Sequence, residues 1–133
     1  MTMEINWVAV VVAMVGAMAT GFIWYSPALF VKPWMRELGK TPEQMGNPAK
    51  AMITAVIMHL VTATCMAFLF AQLQVGGIPD AIATATLLWA GFSGATQFST
   101  DRFQGATVKL SLIVGGHALV TFWVMGVILV AMT

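Results

Sequence analysis

The sequence predicts an all-α fold: a bundle of four transmembrane helices with a short interfacial helix in the first cytoplasmic loop. Charged residues make up 8% of the 133 residues and hydrophobic residues 59%, whereas ordinary soluble domains are about 25% charged. Four stretches without a charged residue, 5–31, 51–79, 81–100 and 110–133, each reach the roughly 20 residues that a helix needs to cross about 30 Å of hydrocarbon. Helices are expected because lipid offers no partner to backbone polar groups.

The chain is expected to form one integral-membrane domain, 1–133, with helices at about 5–26, 48–73, 79–100 and 107–132. Pro27 ends the first helix, Pro48 begins the second, and Pro79 begins the third with Asp80 in its first turn. The first helix is expected to be retained rather than cleaved as a signal peptide, because no Lys or Arg precedes it and its apolar run continues past the small residues at 17–19.

The first connection carries the pattern of a short amphipathic helix. Phe30, Trp34 and Leu38 repeat every four residues between charged side chains, and Gly39 follows as a C-terminal stop. This pattern is typical of a helix that lies flat at the membrane interface. The alternative is an irregular loop with chance spacing, because Pro33 falls in the middle of the segment.

The basic residues predict the orientation. Four lie on the first connection and two on the third, while the middle connection and both ends of the chain have none: Lys32, Arg36, Lys40 and Lys50, then Arg102 and Lys109. The positive-inside rule therefore predicts cytoplasmic first and third connections and both termini outside, in a bacterial inner membrane. A net charge of +1 gives no reason to expect nucleic acid as a partner. The lone Cys65 implies neither a disulfide framework nor a metal cluster.

Small residues predict where helices touch, because membrane helices associate where their backbones can approach. Such residues form stripes on three helices: Ala13, Gly16, Ala17, Thr20 and Gly21 on the first; Ala90, Gly91, Gly94 and Ala95 on the third; Gly115, Gly116 and Gly126 on the fourth. These contacts lie either within the bundle or between protomers.

The two histidines are the first candidates for a site. His59 and His117 lie nine and eight residues past Lys50 and Lys109, so both are about 12–14 Å deep at 1.5 Å per residue. One hypothesis is a ligand pair for haem or a metal. The other is two structural histidines that each bond to a neighbouring helix. We expect the structural role, with no metal and no cofactor, because no carboxylate or thiolate accompanies the pair.

A polar stripe on the third helix is the second candidate. Trp89, Ser93, Gln97 and Asp101 recur every four residues and become more polar toward the cytoplasmic end. One hypothesis is a wet cavity or proton path, and the other is interhelical hydrogen bonding together with an Asp101–Arg102 pair. The second is favoured because such residues are common between membrane helices. No motif of a P-loop, zinc protease, nucleophile elbow or dinucleotide site is present, so no enzyme activity is expected.

The residues that end the first helix resemble a known family. They are Trp24, Tyr25, Ser26 and Pro27, followed by Trp34, with later landmarks at residues 89–92, 103–105 and 116–120. Together they resemble the uncharacterised bacterial family called domain of unknown function 1761, over nearly the whole chain. Ala106 and Thr107 depart from it. The resemblance implies a small four-helix inner-membrane protein and supplies no reaction, ligand or catalytic residue.

Three functions stay open at this point. The leading one is a structural, oligomer-forming or accessory membrane protein, with the lipid bilayer and a homo-oligomer or larger complex as its partners. The alternatives are a proton or small-molecule carrier that uses the polar stripe, and a redox module that binds haem or a quinone.

Overall fold

The computed structural model describes residues 4–133, and in that range every regular element is helical. The all-α fold class is therefore confirmed. Seven α-helices follow in chain order, with one π-helical turn, Ala90–Gly94, between the fifth and the sixth: α1 Trp7–Trp24, α2 Val31–Leu38, α3 Pro42–Met45, α4 Ala49–Gln72, α5 Ile78–Trp89, α6 Ala95–Phe103 and α7 Val108–Ala131.

Three of the described helices, α1, α4 and α7, are long and apolar enough to cross a membrane. The third expected span is divided: α5 has 12 residues and α6 has nine, and the π turn joins them. The backbone stays helical through Ala90 and Gly94, so 78–103 is one helical run that continues three residues beyond the expected end at 100. Neither part reaches a spanning length alone.

Local sequence signals set most helix ends. Asn6 caps α1 by accepting the Ala9 N–H at 3.1 Å, and its amide also donates to the Met132 carbonyl at 2.9 Å, which ties the start of α1 to the end of α7. Pro79 lies in the first turn of α5, as predicted. Asn47 accepts the Ala49 N–H at 2.9 Å, so α4 begins one residue later than expected.

Helix α2 is present in the segment where the amphipathic pattern predicted a helix. Pro33 is its third residue, in the first turn, where backbone N–H groups have no partner within the helix. Gly39 ends α2 in the left-handed conformation, at φ 72°. The apolar side of α2 packs on the end of α1, with ring centroids 4.5 Å apart for Phe30 and Trp24 and 4.7 Å apart for Trp34 and Tyr25.

Helix α7 lies at the centre of the bundle, in contact with α1 and α5, and α4 packs mainly on α1 and also touches α7. The small residues of α1 make these contacts. Ala13 and Ala17 are fully buried, and a Cβ at Gly16 would come within 2.6 Å of Ile128 on α7. On α7, a Cβ at Gly126 would lie 3.4 Å from Phe70 of α4 and 3.5 Å from Ala85 of α5, which is ordinary van der Waals contact.

The small residues of the third stripe behave differently. Ala90, Gly91 and Ala95 are exposed, and a Cβ at Gly91 would meet nothing within 4 Å. Gly94 is covered by the ring of Trp89 in its own helical run. Gly91 therefore does not make the expected contact with another helix of the same chain. The alternative expectation for this stripe is a contact between protomers.

Candidate functional site

The two histidines come together in one cavity, although they are far apart in the sequence. The cavity has a volume of about 470 Å³, and both imidazoles line it with the side chains of Tyr25 and Trp34. His59 comes from α4, His117 from α7, Tyr25 from the end of α1 and Trp34 from α2. We call this space the histidine cavity.

His117 is fixed by α1. Its ring lies 5.1 Å from the Tyr25 ring, edge to face, and 6.3 Å from that of Trp24. Its Nε2 atom is buried and has no hydrogen-bond partner among residues 4–133. A Cβ at Gly21 would be 3.4 Å from Nε2, at van der Waals contact, so this edge of the imidazole lies against α1. The interhelical bond expected of a structural histidine is not made by this nitrogen.

Trp24 holds α1 and α7 together beside the cavity. Its indole Nε1 donates to the Ile113 carbonyl of α7 at 3.0 Å. The ring packs on Gly116, where a Cβ would come within 3.1 Å of the indole. The backbone carbonyl of Ser26 accepts from the Leu29 N–H at 3.0 Å, which turns the chain after α1. The Trp-Tyr-Ser-Pro element therefore closes one wall of the cavity and redirects the chain toward α2.

The remaining wall of the histidine cavity is apolar. Phe22 is 59% exposed and Met52 is 38% exposed, so the cavity communicates with the surroundings of the bundle between α1 and α4. The other lining residues are mostly small: Ala17, Met18, Gly21, Pro48, Ala51 and Ala55. Such a space suits a flat apolar body, with polar groups available from the imidazoles and the phenol.

The polar stripe of the third helix faces α7. Trp89, Ser93, Gln97 and Asp101 are partly buried, whereas the flanking residues 95, 96, 99 and 100 are exposed. Its polar end forms a closed network that we call the serine cluster, which consists of Gln97, Asp101, Arg102 and Ser111.

Ser111 is the centre of that cluster and is only 3% exposed. Its hydroxyl donates to Asp101 Oδ2 at 2.7 Å and accepts from Arg102 Nη2 at 2.6 Å. Gln97 Nε2 donates to Asp101 Oδ2 at 2.9 Å and to the Ser111 carbonyl at 3.3 Å. The expected Asp101–Arg102 pair is thus bridged by a serine that the sequence analysis did not select. Its only sequence signal is a hydroxyl two residues after Lys109.

The cluster keeps Asp101 ionised. Hydrogen bonds from Ser111, and then from Gln97, hold the pKa of Asp101 below its ordinary value, with a further contribution from the charge of Arg102. Asp101 lies just beyond the charge-free stretch 81–100. A carboxylate held in this form does not readily take up a proton near neutral pH, so the network favours interhelical bonding over a proton path.

The side chains that most often bind metals are spread out in the part of the chain that the structure describes. Residues 4–133 contain no group of three or more His, Cys, Asp or Glu side chains that could hold a metal ion. Cys65 is free and exposed. Within residues 4–133, no Cys, Asp or Glu side chain joins His59 and His117 in such a group.

Comparison with known proteins gives one match. The model of the family described as "Protein of unknown function (DUF1761)" matches residues 8–130, and the resemblance noted from the sequence is confirmed. No curated protein and no solved structure matches the chain.

Proposed function

The chain belongs to the DUF1761 family, whose function is unknown, and from its geometry we propose that it is a membrane protein that binds the head group of a quinone in the histidine cavity. The observation that carries this proposal is that His59 and His117, the only histidines of the sequence, line one cavity with an aromatic phenol and an indole. Four separate segments supply these side chains.

The proposal includes a membrane arrangement. In it, α1, α4, residues 78–100 and α7 are four spans, Asp101 and Arg102 lie beyond the third span, and α2 lies at the interface at the end of the bundle that carries the basic residues. That end is cytoplasmic and both termini are outside, in a bacterial inner membrane. Three apolar helices and the placement of all six Lys and Arg residues on two connections or within two residues of them support this arrangement.

The chemistry of the cavity suits a quinone. A quinone head group is a planar ring with two carbonyl acceptors on opposite edges, and it reaches a protein through the bilayer. The imidazole of His59 and the hydroxyl of Tyr25 are hydrogen-bond donors at the cavity, and the Trp34 ring offers a face for stacking. The opening between Phe22 and Met52 gives a lateral entry.

Haem fits this arrangement less well than a quinone does. Ligation by both histidines needs a nitrogen of each ring turned toward a common iron. Nε2 of His117 is packed against Gly21 instead. The pair therefore supports hydrogen bonding to a ligand better than axial ligation.

A titration in quinone-free nanodiscs tests the proposal. A short-chain quinone, decylubiquinone, should quench tryptophan fluorescence with a saturable profile. Ala55→Phe, which places a ring inside the cavity, should weaken binding at least about tenfold, or 1.4 kcal/mol. Ala19→Phe is the matched control, because Ala19 is exposed on α1 away from the cavity. Linear quenching without saturation, or an equal loss in both variants, would contradict quinone binding at this cavity.

A second candidate is a structural or accessory role through self-association. The outward position of Gly91 and its small neighbours, next to Phe92, which is 81% exposed, favours it because such surfaces let membrane helices approach closely. In a Cys65→Ala background, Gly91→Cys should form a disulfide-linked dimer, while Leu112→Cys, on exposed α7 surface, should not. Equal cross-linking at both positions would indicate random collision.

A further inference from the structure

The π turn shapes a second space on the other side of α7. The Ala95 N–H bonds to the Ala90 carbonyl, five residues back rather than four, so the helix is locally wider. Such turns are frequent at functional sites. The Trp89 ring lies against Gly94, where a Cβ would be 2.9 Å from two of its ring carbons. Glycine at this position allows the indole to lie along its own helix.

The Trp89 indole differs from the indoles of Trp24 and Trp123. Nε1 of Trp24 donates to a carbonyl at 3.0 Å, and Nε1 of Trp123 donates to the Thr86 hydroxyl at 2.8 Å. Nε1 of Trp89 is buried and has no partner among residues 4–133. A buried N–H group without an acceptor destabilises the protein unless a bound molecule accepts a hydrogen bond from it.

A cavity of about 270 Å³ adjoins this indole, between the π turn, α6 and α7. Gln97 also lines it. The amide nitrogen of Gln97 is engaged by Asp101 and the Ser111 carbonyl, and its Oε1 faces Gly115, 3.2 Å from where a Cβ would be. One donor and one acceptor therefore belong to the wall, which is otherwise formed mainly by Phe98, Leu112 and Leu119. We call this space the indole cavity.

We propose that the indole cavity binds a small neutral molecule that carries one hydroxyl group on an apolar ring, with that hydroxyl accepting from Trp89 and donating to Gln97. The volume exceeds the roughly 150 Å³ that holds benzene in a dry protein cavity and lies just below the range of drug-sized ligands, which begins at about 300 Å³. A phenol with a short substituent fits these limits.

Water is a poorer occupant than such a compound. The wall carries three polar side chains, Trp89, Gln97 and Ser111, and the Ser111 hydroxyl is already bonded to Asp101 and Arg102. The remaining donor and acceptor suffice for one ordered water, whose share of liquid volume is about 30 Å³, whereas the cavity of about 270 Å³ is otherwise lined mainly by carbon. Leu112 and Phe98, on the wall, are 64% and 42% exposed, so a lipophilic molecule has a route from the bilayer.

Binding of 4-fluorophenol and of fluorobenzene to the whole protein in nanodiscs, followed by fluorine NMR, tests the proposal. Both probes have the same ring and one lacks the hydroxyl. The phenol should bind roughly two- to tenfold more tightly after correction for partition into the lipid, as expected for one or two net hydrogen bonds. Trp89→Phe, which keeps an aromatic ring and removes the N–H, should reduce that difference, because only the bond donated to Gln97 remains.

Two controls place the binding. Trp7→Phe changes an exposed tryptophan and should keep the difference, and Ala55→Phe, which fills the histidine cavity, should keep it as well. In wild-type protein labelled at the indole nitrogens, the resonance that disappears in Trp89→Phe should shift with 4-fluorophenol and not with fluorobenzene. This measurement requires only that the Trp89 resonance be assigned by its absence from the Trp89→Phe spectrum.

Equal affinity for the two probes in the wild type, absence of saturable binding, or an unchanged difference in Trp89→Phe would overturn the proposal. Loss of phenol binding in Ala55→Phe alone would place the phenol in the histidine cavity and would also overturn it. Because decylubiquinone binding is measured separately, failure here leaves the quinone proposal standing, and the reverse also holds.

Discussion

Single hydrogen bonds from tryptophan indoles connect the helices of this protein. Trp24 joins α1 to α7, and Trp123 joins α7 to α5 through Thr86, whose hydroxyl in turn donates to the Ile82 carbonyl at 2.7 Å. Between membrane helices, such bonds contribute more through defined geometry than through energy, since their average net value is about 0.6 kcal/mol.

Replacing Trp by Phe at two positions should distinguish the stability contribution of a hydrogen-bonded indole from that of an unbonded one. Trp123→Phe should lower the free energy of unfolding by about 0.6–1.7 kcal/mol through the lost bond. Trp89→Phe loses no bond within the protein and should cost less. Unfolding in mixed micelles at increasing SDS measures both changes. A larger loss for Trp89→Phe would mean that its N–H is bonded within the folded chain.

The serine cluster predicts a dependence of stability on pH. Because the pKa of folded Asp101 is lowered, its carboxylate stabilises the fold above the ordinary aspartate pKa, and this contribution is lost as the pH falls through the lowered value. Ser111→Ala removes the largest cause of that shift. The variant should be less stable near pH 7 by about 1 kcal/mol and should lose less stability on acidification.

Unfolding at pH 7 and at pH 3 measures this difference. Ser99→Ala, on the exposed face of the same helix, should follow the wild type at both values. Parallel curves for wild type and Ser111→Ala would show that the serine does not set the pKa of Asp101.

Helix α2 is the element whose position depends most on tertiary contacts. It has eight residues, which is too short for a stable isolated helix in water. Its rings instead pack on Trp24 and Tyr25. The Thr107 hydroxyl also bonds to the Glu37 carboxylate, which connects the end of α2 to the start of α7.

Trp34→Ala should loosen α2 without unfolding the bundle. An aromatic pair contributes about 0.5–1.5 kcal/mol, so amide hydrogen exchange within Val31–Leu38 should accelerate roughly two- to tenfold, while α7 keeps its rates. Lys32→Ala, an exposed position of the same helix, should leave exchange unchanged. If Trp34→Ala also left it unchanged, the contact between Trp34 and Tyr25 would not hold α2.

At the scale of the whole molecule, the basic side chains collect at one end. The Asn6–Met132 bond holds the start of α1 and the end of α7 together at the other end. The proposed orientation follows from this asymmetry, because a membrane retains Lys and Arg on its cytoplasmic side.

Topology reporters test the orientation. A reporter fused after Thr133 should be active outside the cytoplasm, and one inserted after Lys40 should be active inside. An active cytoplasmic reporter at Thr133 would overturn the charge-based orientation.

The sequence by itself determined the class of the protein and most of its helices. Apolar length, prolines and a four-residue repeat are local features, and they predicted α2 and the start of α5. These signals need no knowledge of neighbouring helices, because backbone hydrogen bonds within one segment satisfy each helix.

Only the tertiary structure decided which side chains meet. The shared cavity of His59 and His117, the bridging role of Ser111 and the unpaired indole of Trp89 depend on how each helix is rotated about its axis and how far it slides along its neighbour. The sequence of α7 leaves both quantities nearly free, since its apolar residues are spread around the whole helix. Close approaches at Gly16 and Gly116 restrict them, because there the partner's side chain occupies the space of the one that glycine lacks.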